Sequence, residues 1–132
     1  LSGPILDRID LHIWVEPIST DQFFTPDAQE DSATIRKRVQ SCRERQLHRY
    51  QHTKYICNAD LSGEALWRYC PLNQNSKDWL IEIANQEAMS ARSIARVLKV
   101  ARTIADLSHE DDISTDHIAE AIGYKVASEV AL

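Results

Sequence analysis

The stretch SARSIARVLKVARTIADLS, residues 90–108, constrains this chain more than any other. Ala91, Ile94, Ala95, Leu98, Ala101, Ile104 and Ala105 recur at the 3.6-residue spacing of an α-helix. Arg92, Arg96, Lys99 and Thr103 fall on the opposite face, and Ser90 stands where an N-cap belongs. A helix with so complete an apolar stripe must bury it against other elements. The rest of the chain therefore has to supply a helical core around it.

Most of the remaining sequence can do so. A helix is predicted over about 31–52, capped by Ser32, with a thin stripe of Ile35, Val39, Cys42 and then Gln46. A short one is predicted near 63–70, capped by Ser62 and stopped by Pro71. Another spans about 74–87 and buries Trp79, Leu80, Ile83 and Ala84; a last one follows Ser114 with Ile118, Ala121 and Ile122 inward. The first thirty residues read differently. In IDLHIWV, Ile9, Leu11, Ile13 and Val15 alternate with Asp10, His12 and Trp14, which is the period of a strand ended by Pro17. Residues 17–30 read as a loop from their Pro, Ser, Thr and Asp. One strand makes no sheet, so it either lacks its partner here or is poorly ordered. The expected fold is mainly α, about five helices preceded by one strand.

A chain of 132 residues with 43% hydrophobic content is enough for one small domain with a core. Leu1 is not a methionine and the first motif starts at once, so a piece of a longer protein is expected. No apolar run is long enough to span a bilayer. Cys42, Cys57 and Cys70 are odd in number and form no C-x-x-C pair, which fits a reducing compartment.

Chemistry is sparse. His48 and His52 share a helix spacing, but no H-E-x-x-H pattern exists and Arg49 and Lys54 flank them, so no metal site is expected. His12, His109 and His117 are isolated and read as structural. No nucleophile turn of the G-x-S-x-G kind occurs, and three glycines cannot build a phosphate-cradling loop. The net charge of -5 is unevenly spread. Arg36, Lys37, Arg38, Arg43, Arg45, Arg49 and Lys54 stand against Glu44 alone, while acids gather in Asp21 to Asp31 and at His109 to Asp112. The basic helix reads either as a solvated face or as a surface for a phosphate backbone or a protein partner. Tyr50 and Tyr55 close by can stack on bases or simply pack. Arg8 precedes the strand and can pair with Asp7 or Asp10; Arg92 lies in the first helical turn, where an anion is favoured.

The blocks SGPILDRIDLHI, SATIRKRVQSCRERQ, NADLSG, SARSIARVLKVARTIADL and ISTDHIAEAIGY, in this order, resemble the C-terminal part of bacterial magnesium-chelatase-like AAA+ ATPases of the YifB/ComM type. More distantly they are similar to the magnesium-chelatase ATPase subunit and the MCM replicative helicases. The resemblance implies that 1–30 ends the AAA+ core, with an arginine-finger block, the last strand and a linker, and that 31–132 is a helical lid with a sensor-2 helix. It implies Arg8 as arginine finger and Arg92 as sensor 2, and leaves Arg36, Lys37, Arg38, Arg43, Arg45 and Arg49 as contacts for DNA or a partner. Where many relatives follow S-A-R-x with an aromatic and a basic residue, this chain has Ile94 and Ala95.

The intact protein is implied to be a cytoplasmic ATPase using ATP and Mg²⁺ in a homo-oligomeric, hexameric ring. Its expected work is DNA remodelling, of the helicase or branch-migration kind linked to competence. This stretch alone is expected to be non-catalytic and to hold no cofactor. The alternatives are a chelatase-like or chaperone-like motor acting on protein, and a freestanding helical interaction module.

Overall fold

A computed structural model describes residues 9–17, 19–20, 24 and 30–126. Five helices make up residues 30–126: α1 Ser32–Tyr50, α2 Glu64–Tyr69, α3 Gln74–Gln86, α4 Ala91–Leu107 and α5 Thr115–Val126, with a 3₁₀ turn at Asn58–Asp60 between α1 and α2. The mainly α architecture expected from the periodicity is the one adopted.

α4 is the centre. It packs most extensively on α5 and also touches α1, α2 and the 3₁₀ turn. Val97, Leu98, Ala101 and Ala105 are buried on it, and they meet Leu61, Leu66, Leu80, Ile113, Ile118 and Ala121 in one core. The alanines let neighbouring helices approach closely, while Leu98, Ile113 and Ile118 fill the space and are fully enclosed. Ile94, Ala95 and Ile104 border this core, as do Trp79 and Ile122, only partly buried. Leu72 and Ile113 form an isolated parallel bridge, and the Ser76 hydroxyl donates to the Ile113 carbonyl at 3.2 Å.

Helix starts follow local chemistry. Ser90 caps α4 by accepting from the Ser93 amide at 3.1 Å, and Ser114 accepts from His117 at 3.4 Å at the head of α5. α1 is capped by Asp31, not Ser32: its carboxylate takes the Thr34 amide at 2.7 Å, and hydrogen bonding from the Thr34 side chain, then from that amide, holds the Asp31 carboxyl below its ordinary range. Asn73 caps α3 through the Ser76 amide at 2.8 Å. At α2 the cap is Gly63, with φ of 55°, and Ser62 plays no such part; the left-handed backbone there suits glycine alone among common choices. α3 and α4 end on left-handed residues that are not glycine, Ala88 (φ 47°) and His109 (φ 61°). Each end closes as a Schellman motif, through Met89 N–H to Ala84 at 2.8 Å and Glu110 N–H to Ala105 at 2.9 Å.

Three further expectations need correction. The strand over 9–15 does not form: residues 11–17 have no regular structure, and no strand exists among the described residues. Alternation makes a strand possible, but its backbone groups need a neighbouring strand, and none lies among the described residues. Instead the His12 amide donates to the Tyr124 carbonyl of α5 at 2.9 Å, leaving Ile13, Trp14 and Val15 largely exposed. Within 17–30, read as a loop, Thr20 and Phe24 have helical backbone. Ser, Thr and Asp mark helix starts as well as turns. The stripe of α1 also engages later than expected. Ile35 and Val39 stay exposed and only Cys42, Gln46 and Tyr50 are buried, so the first half of α1 projects from the domain.

Candidate functional site

The N-terminal end of α4 presents Arg92 to solvent. It is exposed and makes no hydrogen bond or ion pair with any described residue. The Ser90 cap satisfies one of the free amides of this turn, and the positive end of the helix dipole adds to the charge of the guanidinium. One turn later, Arg96 reaches Asp10 at 3.1 Å. That contact ties the 9–17 segment to α4 one turn after Arg92 and commits the Asp10 carboxylate. Arg8 and Asp7 lie outside the described residues.

The C-terminal end of the same helix is buried in charge. Asp106 is fully enclosed, and Arg102, one turn earlier, is 1% exposed. Leu98, Arg102 and Asp106 follow one another at i, i+4, so the row that carries apolar packing at Leu98 carries ions further on. Arg102 lies 3.3 Å from Asp106 and donates to the carbonyls of Glu110, at 2.7 Å, and Asp111. Arg49, from α1, grips both Asp106 oxygens, one at 2.8 Å and the other closer still. Asn58, first residue of the 3₁₀ turn, donates to Asp106 at 2.9 Å and to the Thr103 hydroxyl at 3.0 Å. Its own oxygen accepts from the Tyr50 hydroxyl at 2.7 Å, and its amide donates to Gln46 at 3.0 Å.

Burial alone would raise the Asp106 carboxyl. Hydrogen bonds from Arg49 and Asn58, with the charges of Arg49 and Arg102, outweigh it and hold the group below the usual carboxylate range. The same carboxylate pushes the Arg49 guanidinium upward. Burial draws Arg102 downward against the pull of Asp106 and pushes the Tyr50 phenol up to about 12. Such a cluster has no reactive group in the open. Its effect is to tie α1, the 3₁₀ turn, α4 and the 108–113 loop into one body.

The basic residues of α1 divide accordingly. Arg45 bonds Asp111 at 2.6 Å, Arg49 is held by Asp106, and Arg38 is paired with Glu30 through bonds of 2.8 and 3.1 Å. The charges of those three are spent within the chain. Arg36, Lys37 and Arg43 are exposed and form no hydrogen bond or ion pair with described residues. Among the described residues, no group of three His, Cys, Asp or Glu could hold a metal ion.

The ionic cluster was not expected from the residues. Asp106 and Arg102 interrupt the best apolar stripe of the chain, and Gln46 continues the stripe of α1; polar residues in apolar register were the available sign. Asn58 explains the NADLSG block, because one side chain there serves four partners.

Residues 29–125 match the family described as magnesium chelatase, subunit ChlI C-terminal. The protein named YifB of Salmonella typhimurium, described as uncharacterized, is 38% identical over 134 residues, covering 100% of this chain and 26% of the relative. Competence protein ComM of Haemophilus influenzae is 40% identical over 126 residues, covering 95% of this chain and 24% of the relative. A YifB protein of Escherichia coli is 35% identical over 135 residues, with 100% and 26% covered. The chain thus spans about a quarter of the length of the curated relatives it matches.

Proposed function

The chain belongs to the magnesium-chelatase-like family, and from that premise we propose that residues 31–132 are the helical lid of a ring-forming AAA+ ATPase, with 1–30 closing its core domain. The observation that carries this reading is Arg92: a permanently charged, uncommitted guanidinium at the N-terminus of the best-anchored helix. The role proposed is sensor 2, in which Arg92 contacts a phosphate of a nucleotide held chiefly by other parts of the intact protein. Its exposed guanidinium fits an anion of that kind. A Mg²⁺ ion finds no ligand set among the described residues, so its ligands are assigned to the rest of the protein. Arg8 is proposed as the arginine finger offered to a neighbouring subunit of a homo-oligomeric, hexameric ring, where a planar cation stabilises the charge that builds on a transferring phosphoryl group.

The proposed substrate is DNA, remodelled in the manner of a helicase or branch-migration motor in the cytoplasm. Two observations support it: a relative named as a competence protein, and the exposed Arg36, Lys37 and Arg43 of α1, the first two on its projecting part. A second reading, a motor acting on protein, is favoured by the neutralisation of Arg38, Arg45 and Arg49 within the chain. ATP turnover by the intact protein with and without DNA decides between them. Stimulation by DNA is expected, and turnover indifferent to DNA would favour the protein substrate. The chain by itself is expected to turn over no ATP, and micromolar ATP binding to it would count against the lid assignment.

A further inference from the structure

We propose that the open pocket between the 53–55 turn and α2 is a contact site for single-stranded DNA. The pocket, about 510 Å³ in volume, has the capacity for a nucleotide-sized group. Two pairs of adjacent residues build it, Lys54 with Tyr55 and Arg68 with Tyr69. In each pair the cation stands over its own ring, 5.5 Å from the centroid. The two rings are 6.5 Å apart and inclined at 71°.

The cations are uncommitted. Neither Lys54 nor Arg68 forms a hydrogen bond or ion pair with any described residue. Glu64 lies one helical turn before Arg68 and lines the same pocket, yet the two do not pair. A cation resting on a ring can move to a phosphate and uncover the ring face for a base. Two such units side by side offer two stacking faces and two phosphate contacts to consecutive nucleotides. Duplex DNA keeps its bases stacked on each other and cannot use the rings, which is why the single strand is the favoured ligand.

The platform is also rigid. Tyr69 packs edge-on against buried Tyr50, 5.1 Å between centroids, and Tyr50 is fixed to Asn58. The Thr53 hydroxyl donates to the Tyr50 carbonyl at 2.9 Å and accepts the Tyr55 amide at 3.0 Å, which sets the turn that carries Lys54 and Tyr55. The rings therefore need no ordering when a strand arrives.

This site rests on the DNA-acting reading above, and it is tested on this chain alone so that the two can fail separately. The probe is a fluorescein-labelled oligothymidylate, followed by anisotropy at low and moderate salt. Binding that weakens as salt rises is expected. Lys54→Gln combined with Arg68→Gln should weaken it about tenfold or more, and Tyr55→Leu should weaken it by a similar factor. Lys54 and Arg68 are exposed, whereas Tyr55 is half-buried against the core and edge-on to Tyr50, so circular dichroism and thermal melting of each variant verify that the fold is kept. Lys77→Gln, which changes an exposed cation of α3 outside the pocket, should alter binding by less than about twofold. The proposal is overturned by absence of binding, by equal affinity for duplex, or by indifference to Lys54→Gln with Arg68→Gln. Indifference to Tyr55→Leu overturns it too, because a charged surface without stacking would then explain the affinity. Should the chain fail to bind while the intact protein is stimulated by DNA, the pocket falls and the DNA-acting reading stands.

Discussion

Asp106→Asn is the most informative single change. The carboxylate is fully buried and faces three guanidiniums: Arg49, Arg102 at 3.3 Å and Arg45 at 4.0 Å. The amide keeps the shape but removes the negative charge, and one of its ends now presents donors to donors. Arg49, whose side chain is 18% exposed, can turn partly to water, but Arg102 at 2% cannot. Removing one partner of a buried ion pair costs about 3–5 kcal/mol. For a domain whose net stability is about 5–15 kcal/mol, with a melting shift of roughly 4–8 °C per kcal/mol, the loss is on the order of 15 °C or more. Thermal melting followed by circular dichroism, with urea titration for the free energy, measures it. A loss under about 1 kcal/mol would refute the view that this cluster locks the domain, because surface pairs give such values. The pH dependence gives a second reading. The folded Asp106 titrates below its unfolded value, so its contribution is complete above the ordinary carboxylate pKa of about 3.9 and is lost as pH falls through the lower folded value. The stability of the Asn variant should therefore fall less steeply than that of the parent below about pH 4.

Arg92→Ala should leave the melting of this chain within roughly 0.5 kcal/mol, as for an exposed residue, yet reduce ATP turnover of the intact protein; a large melting loss would mark it as structural. Arg8→Ala in the intact protein should retain ATP binding and lower hydrolysis about a thousandfold, and near-normal turnover would remove it from the role of finger. Ala88→Gly should stabilise the chain by up to about 1 kcal/mol in urea titration, since the left-handed end of α3 strains any side chain. The Cys70 thiol is buried and pushed up to about 11 by that burial, so at pH 8 an alkylating reagent should modify half-buried Cys57 while sparing Cys70; mass spectrometry of the cleaved chain reads the difference.

α4 was legible because its apolar residues keep helical period for about four turns and Ser90 offers a cap at the right place. α5 was legible for the same reasons on a smaller scale. The Asp31 cap was missed by one residue, since Asp and Ser cap equally well and adjacent positions compete. The segment 9–15 shows the limit of pattern: alternation describes one side of a bond whose other side has to come from elsewhere. The ionic cluster shows another limit. Arg49 and Asp106 are 57 positions apart, and which basic residue of α1 turns inward depends on where α4 lies. Periodicity places Arg36 and Arg49 on the same helix; only packing makes one free and the other a structural tie.

α4 carries an exposed cation at one end and a locked ionic knot at the other. Arg92 and Asp106 are fourteen residues apart, about 21 Å along the helix. The knot clamps the far end to α1, the 3₁₀ turn and the 108–113 loop, and the core holds the middle of the helix, so Arg92 moves only when the whole helical body moves. A turn of that body by about 10° about an axis near Asp106 swings the Arg92 end through about 4 Å, without bending the helix or opening the core. That distance spans the whole range between a guanidinium–phosphate hydrogen bond and none. Pulsed distance measurements between spin labels on α4 and the core domain of the intact protein, with and without nucleotide, would register such a swing. A small rotation is thereby converted into a contact that is either made or absent.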